Sequence, residues 1–391
     1  MISAIIAEYN PFHNGHRYQL EQARTFGPVV VIMSGSFTQR GTPAVLDKFT
    51  RAGLAARYGA DLVLELPVVC AVAPATFFAR GGVAMAAAFG ADRLIFGAES
   101  PLEVLVPLAD KISAVPSQSL IRTLKQGLSL PQTLEDCLDV SDAERDALRR
   151  PNNILALEYL GAIRDLNVLL EPYAIARTVA HHSGEVTTGD IAFASASHIR
   201  ELTVNGAWDE LRKVVPDAVY TALTSTNHTQ ADVDVTAQIK KLLRYREMID
   251  EEAVVSLDYE DGLEHRLAQA VKGSEDWNAL KPKHMTHARM NRYLTQTLLE
   301  LRRKDYDAVM TQLPLRVLAI GPRGRELLRS KNGNRHLVQN PKAYQAFNHD
   351  AWIQECRAAE LRSLLLNDAP SLDYRNPLYI HDEMSRSSDP S

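Results

Sequence analysis

The chain has 391 residues, 46% hydrophobic and 23% charged, with a formal net charge of −5. That balance describes a globular chain long enough for two cores and excludes a disordered one. No run approaches the roughly eighteen apolar residues of a membrane span, and Met1-Ile2-Ser3 leads into a core strand without a basic leader, so a cytoplasmic protein with no membrane contact is expected. Cys70, Cys137 and Cys356 are scattered, without a C-x-x-C or a nearby histidine pair, and indicate neither a disulfide framework nor a zinc site.

In chain order, Ser3 to Ala7 is apolar and too short for a helix, which predicts a buried strand. A loop ending in His13-Asn14-Gly15-His16 follows, then a helical run from Arg17 to Thr25. A helix opening at Gly15 or His16 aims unpaired N–H groups and its positive dipole end at the loop, which favours a phosphate. His13 and His16 are three apart, so both rings reach one side of the first turn and can donate to phosphoryl oxygens. Gly15 lets a ligand approach the backbone. No G-x-x-x-x-G-K-[ST] occurs, so histidines would stand where a Walker loop has its lysine. On spacing alone the stretch reads equally as a turn, with Asn10-Pro11 ending the strand, Asn14-Gly15 making the bend and the histidines as ordinary polar residues.

Pro28 to Met33 is a second apolar run, ending in Ser34-Gly35-Ser36. Asp47 to Tyr58 predicts a helix stopped by Gly59, Asp61 to Pro67 a third strand, Phe77 to Phe89 a helix stopped by Gly90, and Arg93 to Phe96 a fourth strand leading to Gly97-Ala98-Glu99-Ser100. This alternation predicts a doubly wound α/β domain with a parallel sheet. Ligands then sit beyond the carboxyl ends of the strands, where the His loop, Ser34 to Gly41 and Gly97 to Ser100 should line one cleft. Gly97 taken alone is a strand terminator.

Pro101 to Arg149 is helical in pattern, broken at Leu130-Pro131, and reads as an insertion. Arg150-Pro151-Asn152-Asn153 opens a helix to Ile163, with Asn152 or Asn153 suited to its N-cap. The strand Pro172 to Arg177 ends in a basic residue at the expected binding edge. In Phe193-Ala194-Ser195-Ala196-Ser197-His198-Ile199-Arg200, hydroxyl residues open a helix ahead of an arginine, a pattern that suits a triphosphate. The plainer alternative is a serine cap with Arg200 solvated.

From Trp208 the pattern is mainly helical: Asp209 to Lys213, Val233 to Met248, Leu257 to Lys272 and Met290 to Arg303 show apolar positions at helical spacing. Residues 208–373 are read as a second, mainly α domain, and 374–391 as a polar, loosely ordered tail. The net charge hides an asymmetry: Lys281 to Arg335 holds 13 Lys and Arg against 4 Asp and Glu. Arg289, Arg292, Arg323 and Arg325, with Arg316, Arg329 and Lys331 nearby and Tyr293 and Tyr306 interleaved, are candidate RNA contacts. A solvated helix face is the alternative reading of such charge.

His13-Asn14-Gly15-His16 resembles the H-x-G-H signature of the nucleotidylyltransferase superfamily, and Ala194 to Arg200 resembles its second phosphate motif, I-S-S-T-x-I-R, with Ala196 in place of the second serine. The longer string Glu8-Tyr9-Asn10-Pro11-Phe12-His13-Asn14-Gly15-His16, followed by Met33-Ser34-Gly35-Ser36-Phe37-Thr38-Gln39-Arg40-Gly41, resembles the bacterial tRNA(Met) cytidine acetate ligases. The resemblance implies a HIGH-type catalytic domain over 1–207, with 101–150 inserted, and a tRNA-binding domain over 208–373. It implies ATP contacts from the run Ile6-Ala7-Glu8-Tyr9-Asn10-Pro11-Phe12-His13-Asn14-Gly15-His16-Arg17-Tyr18-Gln19 and from Gly97, Asn152, Arg177, Ser195, Ser197 and Arg200, with His13 and His16 catalytic. Magnesium is expected on the ATP phosphates and no metal ligands are assigned.

The implied reaction activates acetate with ATP as acetyl-adenylate, then acetylates N4 of the wobble cytidine of elongator tRNA(Met); no obligate protein partner is evident. Two alternatives stand beside it. A nucleotidylyltransferase acting on a small phosphorylated metabolite leaves the basic segment without a role, and a non-enzymatic RNA-binding protein leaves the paired histidines unexplained.

Overall fold

The computed structural model describes residues 1–115, 130–176, 186–188, 191–225, 235–247, 263, 266, 285–370, 372–375 and 378–380. In chain order the strands among them are β1 Ser3–Ala7, β2 Val29–Ser34, β3 Leu62–Leu66, β4 Arg93–Ala98, β5 Glu171–Ala176, β6 Val186–Thr188, β7 Ile191–Phe193, β8 Leu315–Ile320, β9 Leu337–Val338 and β10 Tyr379–Ile380. The main sheet has the order β10-β8-β3-β2-β1-β4-β5, with β9 beside β8, and β6-β7 form a separate hairpin. β1 to β5 are parallel, with Ala7 level with Met33 and Ser34 level with Leu66.

The sequence dictates this sheet through its continuous apolar runs, which suit strands covered on both faces. Alternate residues of β2 enter two different cores: Val30 and Ile32 pack with the helix Ala75–Phe89, and Val29, Val31 and Met33 pack with the first helix, Asn14–Arg24. Helix ends follow local signals. Asp47 caps Lys48–Arg57 by accepting from the N–H groups of Phe49 and Thr50, and Gly90, at φ +81°, closes Ala75–Phe89 in the left-handed conformation. Because β1 pairs with β2 on one side and β4 on the other, the strand order reverses at β1, the place where the carboxyl ends of parallel strands open a crevice.

The segment after residue 207, expected to be mainly helical, also contributes a strand to the main sheet: Leu315–Ile320 forms β8, antiparallel to β3, with Arg316 opposite Glu65 and Ile320 opposite Leu62. Burying Leu315, Val317, Leu318 and Ile320, at about 1.5–3 kcal/mol for each large aliphatic side chain, draws the strand into the first unit. The tail is also partly structured, since Tyr379–Ile380 pairs with β8. At Leu130-Pro131, where a break in the helical pattern is expected, the helix Leu130–Cys137 begins. The helix Pro151–Asp165 has Arg150 as its N-cap and proline in its first turn, so Asn152 and Asn153 lie inside it. Of the expected helix Leu257 to Lys272, only Leu263 and Arg266 lie among the described residues.

The C-terminal region is joined to the sheet by buried charge. Glu65 accepts from Lys48 Nζ at 2.7 Å and from Arg316 Nη1 at 2.8 Å, and Asp373 takes the same two cations at 2.6 and 2.5 Å. Burial works against ionising Asp373, yet Lys48 and Arg316 hold its pKa below the usual value. Glu355, which accepts from Val68 N–H at 2.6 Å, is displaced the other way: burial and the nearby Glu65 carboxylate raise its pKa well above the ordinary range.

Candidate active site

His13 is the N-cap of the helix Asn14–Arg24, one or two residues earlier than the spacing predicts. The residue is 6% exposed and its Nδ1 accepts from Gly15 N–H at 3.1 Å. An accepting Nδ1 puts the proton of the neutral ring on Nε2, which makes Nε2–H a donor. The same turn requires Gly15, because a Cβ there would sit 2.9 Å from His13 Cε1. His16 stacks on His13 with centroids 3.7 Å apart and is backed edge-on by the Tyr9 ring at 4.8 Å and by the tilted Phe12 ring at 5.8 Å. Tyr9 and Phe12 are fully buried, so the pair is set against a rigid aromatic wall.

The second phosphate-like segment is tied to this loop. Asn14 Nδ2 donates to the carbonyls of Ala192, in β7, and Lys213 at 2.9 and 3.0 Å. Ser195 caps the helix Ala196–Val204, accepting from His198 N–H at 3.2 Å. Arg200 reaches back with Nη1 to the Asn10 carbonyl at 2.7 Å, while its Nη2 donates to Ser197 Oγ at 3.2 Å. Burial lowers the Arg200 pKa from its ordinary value, opposed by the Glu8 carboxylate. Two helix N-termini, two imidazoles and one guanidinium are thus brought to one place, a donor set suited to a polyphosphate.

The other expected loops meet at the same sheet edge. Glu8 Oε1 accepts from Gln39 N–H at 2.6 Å, joining the His loop to the segment after β2. After β4, which contains Gly97, Asn153 Oδ1 accepts from the N–H groups of Glu99 and Ser100 at 2.9 and 3.2 Å. Asn152 donates to Glu99 Oε1 at 3.0 Å. Asn153 therefore shapes the β4 loop, and Asn152 faces it. Arg177 lies outside the described residues.

The model of the HIGH Nucleotidyl Transferase family matches residues 1–375. Over 389 residues the chain is 31% identical to the tRNA(Met) cytidine acetate ligase of Leuconostoc mesenteroides, covering 96% of this chain and 98% of that one. It is 35% identical over 336 residues to the protein of that name from Leuconostoc citreum, covering 83% of each. A crystal structure of Thermotoga maritima TmcAL bound with alpha-thio ATP superposes with a TM-score of 0.83 at 26% identity, over 97% of this chain and 99% of that one. The chain belongs to the tRNA(Met) cytidine acetate ligase family of HIGH nucleotidyl transferases.

For a member of that family, the arginines expected to contact RNA are placed unevenly. Arg292, on the helix His287–Leu299, is only 8% exposed and directs Nη1 toward the Gln39 carbonyl at 3.5 Å. Arg289, one turn earlier, is partly exposed. Arg323 holds the buried Asp61 with Nη2 at 2.9 Å and the Gly27 carbonyl at 2.9 Å, next to the starts of β3 and β2. Arg325 is exposed on the adjoining helix, Gly324–Ser330, and Lys331 donates to the Gly90 carbonyl just before β4. Arg323 and Arg325 therefore lie at the amino edge of the parallel strands, opposite the His loop, and the four arginines do not make one face. The alternation of strands places them there: β8 runs antiparallel, so the turn after it falls at the far edge.

Arg51, which sequence reasoning does not single out, supports the His loop from beneath. It is fully buried, and its guanidinium donates to the carbonyls of Leu46 at 3.0 Å, Glu8 at 2.6 Å, Ser34 at 3.0 Å and Gly35. It locks the ends of β1 and β2 together beneath the His loop, and burial with the neighbouring Arg362 pushes its pKa down to about 10. The signal available was an arginine in the first turn of a largely apolar helix capped by Asp47.

Proposed function

We propose that this protein activates acetate with ATP as acetyl-adenylate and transfers the acetyl group to N4 of the wobble cytidine of elongator tRNA(Met). The observation that carries the reading is the stacked His13 and His16 at a helix N-terminus, joined through Arg200 and the Asn10 carbonyl to the Ser195–Arg200 segment. Such a site neutralises charge on a triphosphate without a Walker lysine.

In the first half-reaction an acetate oxygen bonds to the α-phosphorus of ATP as the bond to the bridging oxygen of the β-phosphate breaks, and pyrophosphate leaves. His13 and His16 donate to the phosphoryl oxygens as charge builds, with Arg200 and the N–H groups after Ser195 on the departing phosphates. Ile6 to Gln19, Gly97, Asn152 and Arg177 complete the ATP site in this reading, and magnesium arrives with the triphosphate. In the second half-reaction the N4 lone pair attacks the acyl carbon, the bond to AMP breaks, and N4 loses a proton. A wobble cytidine is already unpaired, so no duplex has to open. These substrates meet in the cytoplasm, and among the described residues no helix is long and apolar enough to cross a membrane.

The test is acetate-dependent exchange of labelled pyrophosphate into ATP, followed by a search for N4-acetylcytidine in tRNA(Met) incubated with the enzyme. Exchange that requires acetate supports the reading. Exchange that requires a phosphorylated metabolite instead overturns it in favour of nucleotidyl transfer.

A further inference from the structure

A cavity of about 430 Å³ is lined by Asn10 and Pro11 of the His loop but by neither histidine. Its other walls are Arg40 and its neighbours after β2, Arg200 of the helix Ala196–Val204, and His287 and Asn291 of the helix His287–Leu299. The residues carried over for ATP on the far side, Gly97 and Asn152, belong to the β4 edge. β1 stands between β2 and β4, and this cavity lies on the β2 side of the His loop, where Asn10, Pro11 and Arg200, carried over for ATP, also line it.

We infer that this cavity receives the acceptor cytidine, an inference that rests on the acetate ligase reading. Its volume is in the range of small-molecule sites, about 300–1,000 Å³, and exceeds what acetate needs. Among the described residues no Asp or Glu lines it, while Arg40 and Arg200 do, which suits a phosphate-linked nucleotide. Asn291 offers an amide donor and acceptor side by side, the pattern that reads a base edge, and the planar Arg40 guanidinium can stack on a splayed base.

The walls are held in fixed relation. Gly41, at φ +74°, packs so closely on the backbone of the helix His287–Leu299 that a Cβ would sit 2.5 Å from Arg292 N. Thr295 Oγ1 also donates to the Gly41 carbonyl at 2.8 Å. Arg40 and Asn291, both lining the cavity, are thereby held in fixed relation. Arg200, bonded to both the Asn10 carbonyl and Ser197, makes the wall shared by the cavity and the triphosphate end. A base seated here lies beside the triphosphate end, with Arg200 at the boundary, so its exocyclic amine can approach the acyl carbon directly.

The experiment uses Asn291→Ala and Ala288→Trp, the second filling the cavity, each checked for an unchanged melting temperature. Acetate-dependent pyrophosphate exchange is measured beside acetyl transfer to an anticodon stem-loop RNA of tRNA(Met). Both variants should keep exchange within about twofold of wild type. Transfer should fall about tenfold or more, for Asn291→Ala mainly through a higher KM for the RNA. Unchanged transfer in both variants, or exchange that falls in step with transfer, overturns the assignment of the cavity. Absence of acetate-dependent exchange in the wild type overturns the functional reading itself, and the inference with it.

Discussion

The imidazole rings of His13 and His16 stack at a centroid distance of 3.7 Å with their planes 26° apart, and the Nδ1 of His13 is occupied by the N–H of Gly15. His13 is therefore held in one tautomer, with its donor on Nε2, and its orientation is fixed before any phosphate binds. Losing one such pre-set donor removes roughly 3 kcal/mol of transition-state stabilisation, a factor of about 10² to 10³ in rate. His13→Ala and His16→Ala should each reduce acetate-dependent pyrophosphate exchange by that factor while the melting temperature stays near wild type. Near-normal exchange in either variant would remove that histidine from the mechanism.

Arg51 should govern folding more than affinity. Its removal leaves the buried carbonyls of Leu46, Glu8, Ser34 and Gly35 without their donor, at about 1–3 kcal/mol for each group left unsatisfied. Arg51→Met should destabilise the protein by about 3 kcal/mol or more, read as a lower midpoint in urea at an unchanged slope. A midpoint equal to wild type would show that the four carbonyls find water or other donors.

Glu355 gives a pH dependence with a defined sign. Its folded-state pKa is raised above a glutamate's ordinary 4.5, so the folded protein holds a proton that the unfolded chain releases. The stability this contributes is fully present below that ordinary value and is lost as pH rises through the folded pKa. The groups facing it are Glu65, Lys48 and Asp373. Glu355→Gln keeps an acceptor for Val68 N–H but cannot ionise. Its stability relative to wild type should therefore improve from pH 5 to pH 8, measured by urea midpoints across the range. A difference independent of pH would mean that Glu355 is ionised throughout.

Arg323 and Arg289 should separate in RNA binding. Arg323→Ala breaks the pairing with Asp61, so it should lower thermal stability and leave the salt dependence of tRNA binding unchanged. Arg289→Ala, on the same helix as the cavity residue Asn291, should weaken binding and reduce the salt slope by about 1. A reduced slope in Arg323→Ala instead would place RNA at the amino edge of the sheet.

Much of this protein was legible in order along the chain. The β1 to β5 strands, the helix ends at Asp47 and Gly90, and the histidine pair depend on apolar runs, caps and spacing within a few residues, and local backbone sterics settle such features wherever the rest of the chain goes. The nature of the basic segment was not legible. Arg316, Arg323, Arg289 and Arg292 carry the same charge in the sequence, but one meets Glu65 and Asp373 in the core, one clamps Asp61 at the amino edge, and two lie on a helix beside the Gln39 loop. Likewise Leu315–Ile320 is a short apolar run whose pairing with β3, some 250 residues away in sequence, no local signal announces. Partners so distant are chosen by burial and charge compensation across the whole fold. Tertiary structure alone therefore decided which of these cations are drawn into ion pairs with buried carboxylates.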